Sequence, residues 1–416
     1  MAGSESTIGA LLDETGGSIK TGPFGTKLKA SEYTPTGVPV ISVGEVGFGR
    51  LRVHHDTPRV DDTVSSRMPE FFLKAGDIVF GRKGAVERSA QVQLDEDGYF
   101  LGSDGIRIRL NDAACDPKFI SYQLQTTAHR NWMIQHAAGT TMPSLNEGII
   151  RRIPIVLKPL AEQKAIAAAL GALDDKIELN RRMNATLEAM ARALFQSWFV
   201  DFDPVRAKLD GRQPVGIDPA TAALFPASFQ ETKLGHVPLG WEVGRLGDLC
   251  NLKRGHDLPT STRRAGTIPV ISSSGISGAH SETDVRGPGV VTGRYGTIGK
   301  VFYVETDYWP LNTTLYVEDF KGSPPRYIFH ALGEVNYSNY TDKAAVPGVN
   351  RNHLHEEPTV IPPMKVRQAF AQSVELLWFH HAGNERQSRT LSTLRDTLLP
   401  KLLSGELSVA HWVQPN

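Results

Sequence analysis

The sequence predicts an α+β protein: two α/β domains separated by a long antiparallel two-helix coiled coil, arranged as a pseudo-twofold internal repeat. First, Val38–Ser42 returns as Ile268–Ser272, and the basic turn Gly81–Gly84 returns as Gly293–Gly296. Second, a set of positions recurs with a constant shift of 204 residues: Pro143, Asn146, Pro154, Val156 and Pro159 return as Pro347, Asn350, Pro358, Val360 and Pro363. Third, a long helical pattern follows each copy. A solenoid would repeat every ~20–50 residues, so this spacing indicates duplicated domains.

Length and composition are those of an ordinary globular protein, with 416 residues, 40% of them hydrophobic and 22% charged. Cys115 and Cys250 fit neither a disulfide framework nor a metal motif, which favours a reducing compartment such as the cytoplasm. The start of the chain lacks a signal-peptide pattern, and the longest nearly apolar run, Ala165–Leu173, is too short to span a membrane. The formal net charge of zero argues against an indiscriminate polyanion binder, but it leaves room for a DNA reader with local positive charge.

Residues 1–158 are predicted to form the first α/β domain. Short β-rich runs at Gly37–Val46, Gly76–Phe80 and Gly105–Leu110 are separated by Gly and Pro clusters. A helical stretch, roughly Pro117–His136, interrupts the strands.

Residues 159–200 switch to a helical period. Apolar and polar positions follow a 4-3 spacing that is typical of a coiled-coil seam. The seam positions are Ile166, Leu170, Leu173, Ile177, Asn180, Asn184, Leu187, Ala191, Leu194 and Trp198. A helix of this length measures roughly 50 Å.

Residues 201–240 show no period and contain five prolines, so they are predicted to be a connector that runs over the surface. Residues 241–364 repeat the first domain in shorter form, with strands expected at Ile268–Ser272, Gly289–Thr292, Lys300–Val304 and Leu311–Val317, and a helix beginning near Tyr327–Leu332.

Residues 365–405 form the second long helix, and residues 406–416 form a tail. Pro400 is expected to end or kink this helix, because proline lacks a backbone donor. The seam keeps the 4-3 spacing at Phe370, Val374, Leu377, His381, Asn384, Ser388, Leu391, Arg395, Leu398 and Leu402.

Both seams have a polar middle, at Asn180 and Asn184 in the first helix and at His381, Asn384 and Ser388 in the second. Polar centre meets polar centre when two equal helices pair antiparallel, which favours a helical hairpin. The two domains would then lie at opposite ends of a rod, roughly 50 Å apart. In the alternative arrangement, each helix packs only onto its own domain.

The motifs of several enzyme classes are missing from the sequence. It contains no phosphate-binding P-loop, no dinucleotide fingerprint and no Asx-Pro-Pro-aromatic motif of amino-methyltransferases. The run His353–Glu357 could hold a metal in principle, but without a second ligand cluster a solvated loop is favoured, and His54–Asp56 is interpreted in the same way.

The best candidates for DNA contact are the two basic turns. Arg82 and Lys83, and Arg294 and Tyr295, lie between glycines just after a strand, with Lys300 nearby. Glycine allows close approach to a phosphate, and Arg can bind guanine with two hydrogen bonds. In the alternative interpretation these basic residues only face water. Weaker candidates are Arg50, Arg52, Arg263, Arg264, Lys343 and Arg351.

The chain resembles the specificity (S) subunits of type I restriction-modification systems over nearly its whole length. The matching stretches are Gly22–Gly25 with Gly37–Ile41, Pro159–Ile166, Ser197–Lys208, Pro238–Trp241 with Leu246–Leu249, and Leu398–Leu407. One departure is Val366-Arg367, which stands where the first helix has Glu162-Gln163.

The resemblance implies that residues 1–158 and 241–364 are target recognition domains, each of which reads one half of a split double-stranded DNA sequence. The central helix (159–200) and the distal helix (365–405) would set the gap and dock two modification (methyltransferase) subunits. Those subunits would carry S-adenosylmethionine and flip the target adenine. Restriction subunits would add translocation and cleavage with ATP and Mg²⁺. The chain itself would hold no cofactor and no metal, would perform no catalysis, and would not bind a membrane.

Two other classes of function stay open at this point. One is a nuclease or methyltransferase with its own unrecognised active site; Glu162-x-Lys164 is similar to the end of a nuclease motif but has no suitably placed Asp before it. The other is a scaffold that uses the coiled coil without binding DNA.

Overall fold

The chain divides into two compact units in a computed structural model, which describes residues 4–25, 27–139, 141–340 and 348–409. Unit 1 comprises Met1–Asn180 and Arg386–Asn416, and unit 2 comprises Arg181–Glu385. Each unit therefore contains one α/β domain together with about half of each long helix.

The described residues of unit 1 begin with an α/β domain of ten short strands and five α-helices, followed by the first long helix. The strands are β1 Ser4–Thr7, β2 Ser18–Thr21, β3 Val38–Ile41, β4 Gly49–Arg50, β5 Arg59–Val60, β6 Ile78–Gly81, β7 Ser89–Gln91, β8 Phe100–Leu101, β9 Gly105–Arg109 and β10 Pro154–Leu157. The helices are α1 Ile8–Thr15, α2 Asp62–Arg67, α3 Pro117–Leu124, α4 Thr127–His136, α5 Glu147–Arg151 and α6 Leu160–Phe199.

The central sheet of unit 1 has five strands in the order β2-β9-β6-β7-β4, beside a three-stranded sheet β5-β3-β8 and the pair β1-β10. All four residues of β6 are buried, as expected for a strand covered on both faces. The helical stretch predicted near residues 117–136 is present as two helices, because Thr126 caps the start of α4 and interrupts the first one.

Unit 2 contains the second domain and the segment that precedes it. Its helices are α7 Asp203–Leu209, α8 Pro219–Ala223, α9 Leu246–Leu249, α10 Pro325–Gly333 and α11 Arg351–His355, and the second long helix is α12 Met364–Ser404. Its strands are β11 Phe229–Thr232, β12 Gly235–Pro238, β13 Glu242–Arg245, β14 Asn251–Arg254, β15 Ile268–Ser272, β16 Gly275–His280, β17 Gly289–Gly293, β18 Val301–Val304, β19 Trp309–Pro310, β20 Thr314–Asp319 and β21 Pro358–Ile361.

The sheets of unit 2 repeat those of unit 1. The order β14-β20-β17-β18 matches β2-β9-β6-β7, and the antiparallel pair β13-β21 matches β1-β10. In both domains the strand of the Val-Ile-Ser motif pairs in parallel with a two-residue strand, β3 with β8 and β15 with β19. The internal repeat in the sequence is therefore a repeat of strand pairing.

The long helices α6 and α12 run antiparallel in each unit. In unit 1, Asp174 of α6 accepts a hydrogen bond from Arg395 of α12 at 2.7 Å, and Asn180 donates to Ser388 at 3.2 Å. In unit 2, Asn184 accepts from Asn384 at 2.9 Å. In each unit the residue number in α12 falls as the residue number of its partner in α6 rises, which shows that the two helices are antiparallel. The alternative arrangement without pairing is wrong in both units.

The positions of the two predicted seams are buried or half-buried throughout the pair. Ile166 and Leu170 are fully buried with Leu402 in the hydrophobic core of unit 1, and Val374 is fully buried in that of unit 2. Burying these side chains offsets the cost of the polar residues at the middle of the seam.

Pro400 does not end the second helix, contrary to one of the two outcomes expected of it. The residue lies inside α12, which continues to Ser404 and stops before Gly405, whose φ is +83°. Proline removes one backbone hydrogen bond close to the helix end, and burial of the neighbouring Leu399 and Leu402 in the unit 1 core offsets that loss.

The connector predicted at residues 201–240 contains regular elements, although the sequence shows no period there. The segment forms α7, α8 and the hairpin β11-β12, and Phe202, Phe225 and Val237 are buried in the unit 2 core. Its apolar residues contact an aromatic cluster that includes Trp198 and Trp241, and packing of this kind leaves no periodic signal in a short segment.

Helices within the described ranges include none that is long and apolar enough to cross a membrane.

Candidate nucleic-acid interface

The first basic turn, Gly81–Gly84, is fixed by backbone hydrogen bonds on both sides. The Arg82 N–H donates to the Asp104 carbonyl at 2.9 Å, and the Arg82 carbonyl accepts from the Leu145 N–H at 2.8 Å. Asn146 then caps α5 with its side chain. The turn thus lies between the central sheet and the segment that leads into a short helix, and its place does not depend on its side chains.

The second basic turn, Gly293–Gly296, is held in the same way. The Arg294 N–H donates to the Thr313 carbonyl at 2.8 Å, and the Arg294 carbonyl accepts from the Val349 N–H at 3.0 Å. Asn350 caps α11. The duplicated motif therefore presents one Arg at the same backbone position of each domain.

The side chains of the two turns have different surroundings. In unit 1, the Arg82 guanidinium donates to the Ser103 carbonyl at 3.1 Å and lies 5.3 Å from the ring centre of the exposed Phe24. Lys83 is exposed, and its ammonium lies 3.4 Å from the Asp104 carboxylate. In unit 2, the Arg294 guanidinium lies 4.4 Å from the ring centre of Tyr295.

A cavity of about 440 Å³ opens beside the second turn, and it is called the basic cavity below. It gathers three of the predicted contact residues, Arg294, Tyr295 and Arg351, with two that sequence reasoning missed, Lys253 and Arg254 on β14. Its lining residues are Lys253, Arg254, Arg294, Tyr295, Leu315, Gly348, Val349, Asn350 and Arg351.

Two of the guanidinium groups at the basic cavity are free of counter-charges in the described part of the chain. Arg254 and Arg351 are exposed, and no carboxylate of the described residues lies within ion-pair distance of either. Lys253 differs, because its ammonium donates to Glu318 at 2.5 Å, and this hydrogen bond raises the pKa of the Lys253 side chain.

The remaining candidates lie away from the basic cavity. The Arg50 guanidinium pairs with the Asp175 carboxylate of α6 at 2.7 Å, and Arg52 is exposed. Lys300 is exposed, with its ammonium 5.2 Å from the ring centre of Phe302. Two further arginines have partners within the second domain: Arg263 donates to the Ser277 carbonyl at 2.8 Å, and Arg264 pairs with Glu282 at 2.9 Å. Lys343, the last candidate, lies outside the described residues.

The histidine run near the end of the second domain is structural and not a solvated loop. His353 and His355 belong to α11, and the His355 imidazole accepts a hydrogen bond from the Leu252 N–H at 2.8 Å. Burial lowers the pKa of His355, which suits a neutral acceptor. Within the described ranges, no three His, Cys, Asp or Glu side chains are grouped so that they could hold a metal ion.

The chain has two α/β domains with the same strand pairing, and each domain carries a basic turn held by backbone hydrogen bonds on both sides. Together with the pair of long helices, these features define a class of protein with a duplicated recognition domain. The model of the family "Type I restriction modification DNA specificity domain" matches residues 24–189 and 238–374. The two matches fall on the two copies of the repeat and cover more than half of the chain. The chain belongs to this family.

Individual proteins agree with the family match. The type I restriction enzyme HindI specificity subunit of Haemophilus influenzae is 24% identical over 80% of this chain and 87% of that protein. The type I restriction enzyme MjaIX specificity subunit of Methanocaldococcus jannaschii is 24% identical over 70% of this chain and 69% of that protein.

A solved structure supports the fold. The S subunit of the type I restriction-modification system from M. genitalium covers 96% of this chain and 95% of its own, with a TM-score of 0.52 and 18% identity. The fold class and the family resemblance that the sequence predicts are confirmed.

Proposed function

We propose that this chain is the DNA-specificity subunit of a type I restriction-modification complex, in which each recognition domain reads one half of a bipartite double-stranded target. The observation that carries this proposal is the clamped basic turn, which occupies the same backbone position in both domains while the surrounding side chains differ. Two domains with one backbone and different side chains suit a target whose halves differ in sequence.

The paired long helices would set the number of base pairs between the two half-sites and would dock two modification subunits. Family membership supports this assignment, since the HindI and MjaIX relatives are named specificity subunits of type I enzymes. The modification subunits would bring S-adenosylmethionine, and restriction subunits would bring ATP and Mg²⁺. The chain would act in the cytoplasm, on cellular or incoming DNA.

Sequencing of DNA methylation in the host, with and without this gene, tests the proposal. The expected result is one bipartite methylated sequence that disappears when the gene is deleted and returns when it is restored. A methylation pattern that is unchanged by the deletion would exclude the proposal. A purified modification subunit assayed with and without this chain provides the matched test in vitro, because only the complete complex should prefer the target.

A further inference from the structure

The strand registers show which residues of the two domains are equivalent. In the first domain Thr21 of β2 lies opposite Ile106 of β9, and in the second domain Arg254 of β14 lies opposite Leu315 of β20. The next strand gives the same equivalence, since Phe80 pairs with Ile106 and Thr292 pairs with Leu315. Thr21 therefore occupies in the first domain the place that Arg254 occupies in the second.

The helix caps supply a second equivalence. Asn146 caps α5 and Asn350 caps α11, and the residue that follows is Glu147 in the first domain and Arg351 in the second. The basic cavity of the second domain is therefore bordered by three guanidinium groups, those of Arg254, Arg294 and Arg351.

The three equivalent positions of the first domain hold only one arginine. Arg82 matches Arg294, but Thr21 and Glu147 stand where the second domain has arginines. Glu147 Oε1 accepts hydrogen bonds from both the Thr21 N–H, at 2.9 Å, and the Thr21 hydroxyl, at 2.8 Å. Three arginines in the second domain thus correspond to one arginine, one threonine and one glutamate in the first. The glutamate accepts hydrogen bonds from the threonine that replaces Arg254.

We infer that the basic cavity binds one phosphate group of the DNA backbone beside the half-site that the second domain reads, and that the first domain lacks this arrangement of three arginines. This inference rests on the proposed function. It assigns to Arg254 and Arg351 a role in positioning the duplex, while bases are read elsewhere.

The shape and the chemistry of the cavity favour a phosphate over a base edge. A base edge lies inside a groove and is reached by a protruding side chain, whereas a phosphate protrudes from the duplex and enters a concave site. Arginine groups donate several hydrogen bonds in a planar fork that fits phosphate oxygens. Stacking on the Tyr295 ring holds the Arg294 guanidinium in place before DNA arrives. Lys253 adds less, because Glu318 already neutralises it.

The test compares DNA binding by the complete complex of this chain with its modification subunits. One complex contains the double variant Arg254→Gln/Arg351→Gln, and the control contains Arg212→Gln/Arg245→Gln. The control changes two exposed arginines of unit 2 that pair with Asp210 and Glu356 and do not line the cavity, so the change in net charge is the same. Fluorescence anisotropy gives the Kd for the target duplex and for duplexes with single base-pair changes, over a series of salt concentrations.

The cavity variant is expected to bind the target roughly tenfold more weakly at ~0.1 M salt, and the slope of log K against log salt should become shallower by about 0.9, the value for one phosphate. The loss should be the same for every base-changed duplex, and the control should match the wild type. A loss that is concentrated at one base pair would show that the cavity reads a base and would overturn the inference, as would an unchanged salt slope. Failure of the proposed function would be recognised separately, because the wild-type complex would then show no preference for the target.

Discussion

Asn384 Nδ2 donates a hydrogen bond to Asn184 Oδ1 at 2.9 Å, at the point where α6 faces α12 in unit 2. Asn184 Nδ2 in turn donates to the carbonyl of His381 at 3.2 Å. Both asparagines are half-buried at the polar middle of the seam. A polar pair of this kind lowers stability relative to leucine but penalises every other register of the two helices.

The single substitution Asn184→Leu should lower the free energy of unfolding by about 1–3 kcal/mol, because it removes the hydrogen bond between Asn384 Nδ2 and Asn184 Oδ1 in a half-buried place. The double variant Asn184→Leu/Asn384→Leu should recover that loss or exceed the wild type, since neither amide is then buried. Denaturant unfolding of the three proteins measures both steps. A double variant less stable than the single one would contradict the account of this pair.

Removal of one heptad from each long helix should shorten the spacer of the target. Residues 181–187 and 381–387 face each other in the antiparallel register, so deleting both sets keeps the seams aligned. Seven helical residues span roughly 10 Å, which corresponds to about three base pairs. Methylation sequencing should report both half-sites unchanged with a shorter gap. A changed half-site with the original gap would exclude the helices as the spacer.

The Phe370 side chain attaches α12 to the second domain. Its ring centre lies 5.3 Å from that of Phe199 and 5.4 Å from those of Phe195 and His330, and the side chain is fully buried. Phe370→Ala should therefore destabilise unit 2 by about 3–5 kcal/mol. The control Phe379→Ala removes a ring from the same helix that is 65% exposed, and it should change stability by less than about 0.5 kcal/mol. Equal effects of the two variants would contradict this assignment.

The His330 imidazole makes the stability of unit 2 depend on pH. Burial, with the charges of Arg326 and Arg192, lowers its pKa from 6.5 to about 4. The unfolded chain takes up a proton below its ordinary pKa while the folded chain does not, so stability is present above about pH 6.5 and is lost as the pH falls towards 4.

Between pH 7 and pH 5 the loss from this group is about 2 kcal/mol, since one pKa unit corresponds to about 1.4 kcal/mol. The variant His330→Phe keeps an aromatic ring but cannot titrate, so its stability should fall by that much less over the same interval. Tryptophan fluorescence follows the transition, because the Trp378 ring lies 6.2 Å from His330. Parallel pH profiles for the two proteins would disprove the role of this histidine.

The elements set by periodic or repeated residues could be predicted from the sequence. The 4-3 spacing from Ile166 to Trp198 predicted a helix that the structure gives as Leu160–Phe199, because one face of a long amphipathic helix has to be covered. The polar centres were predicted to meet, and Asn184 contacts Asn384. The repeated Gly-Arg turn predicted one Arg at an equivalent place in each domain, and Arg82 and Arg294 hold that place.

The basic cavity could not be predicted, because its residues come from four separate segments of the chain. Arg254 is an unremarkable residue at the end of a short strand, and only the register with β20 places it beside Arg294. Glu147 and Arg351 are related by the constant shift of 204 residues, so the sequence alone shows that their charges are opposite. The charge difference between the two domains also depends on Thr21 and Arg254, which are related by a different shift. The expectation that Pro400 could end the helix took account only of the low helix propensity of proline. Burial of Leu399 and Leu402 outweighs that propensity, so the helix continues.

The core of unit 1 is built from both ends of the described chain. Ile8 and Ile166 share it with Leu399, Leu402 and Val409, while unit 2 is a single continuous segment. A ribosome therefore releases every residue of the second unit before it releases the last ones that the first unit needs. The order of completion during synthesis is the reverse of the order of the two domains along the gene. A chain that stops before Leu399 would lack part of the core of the recognition domain that is synthesised first.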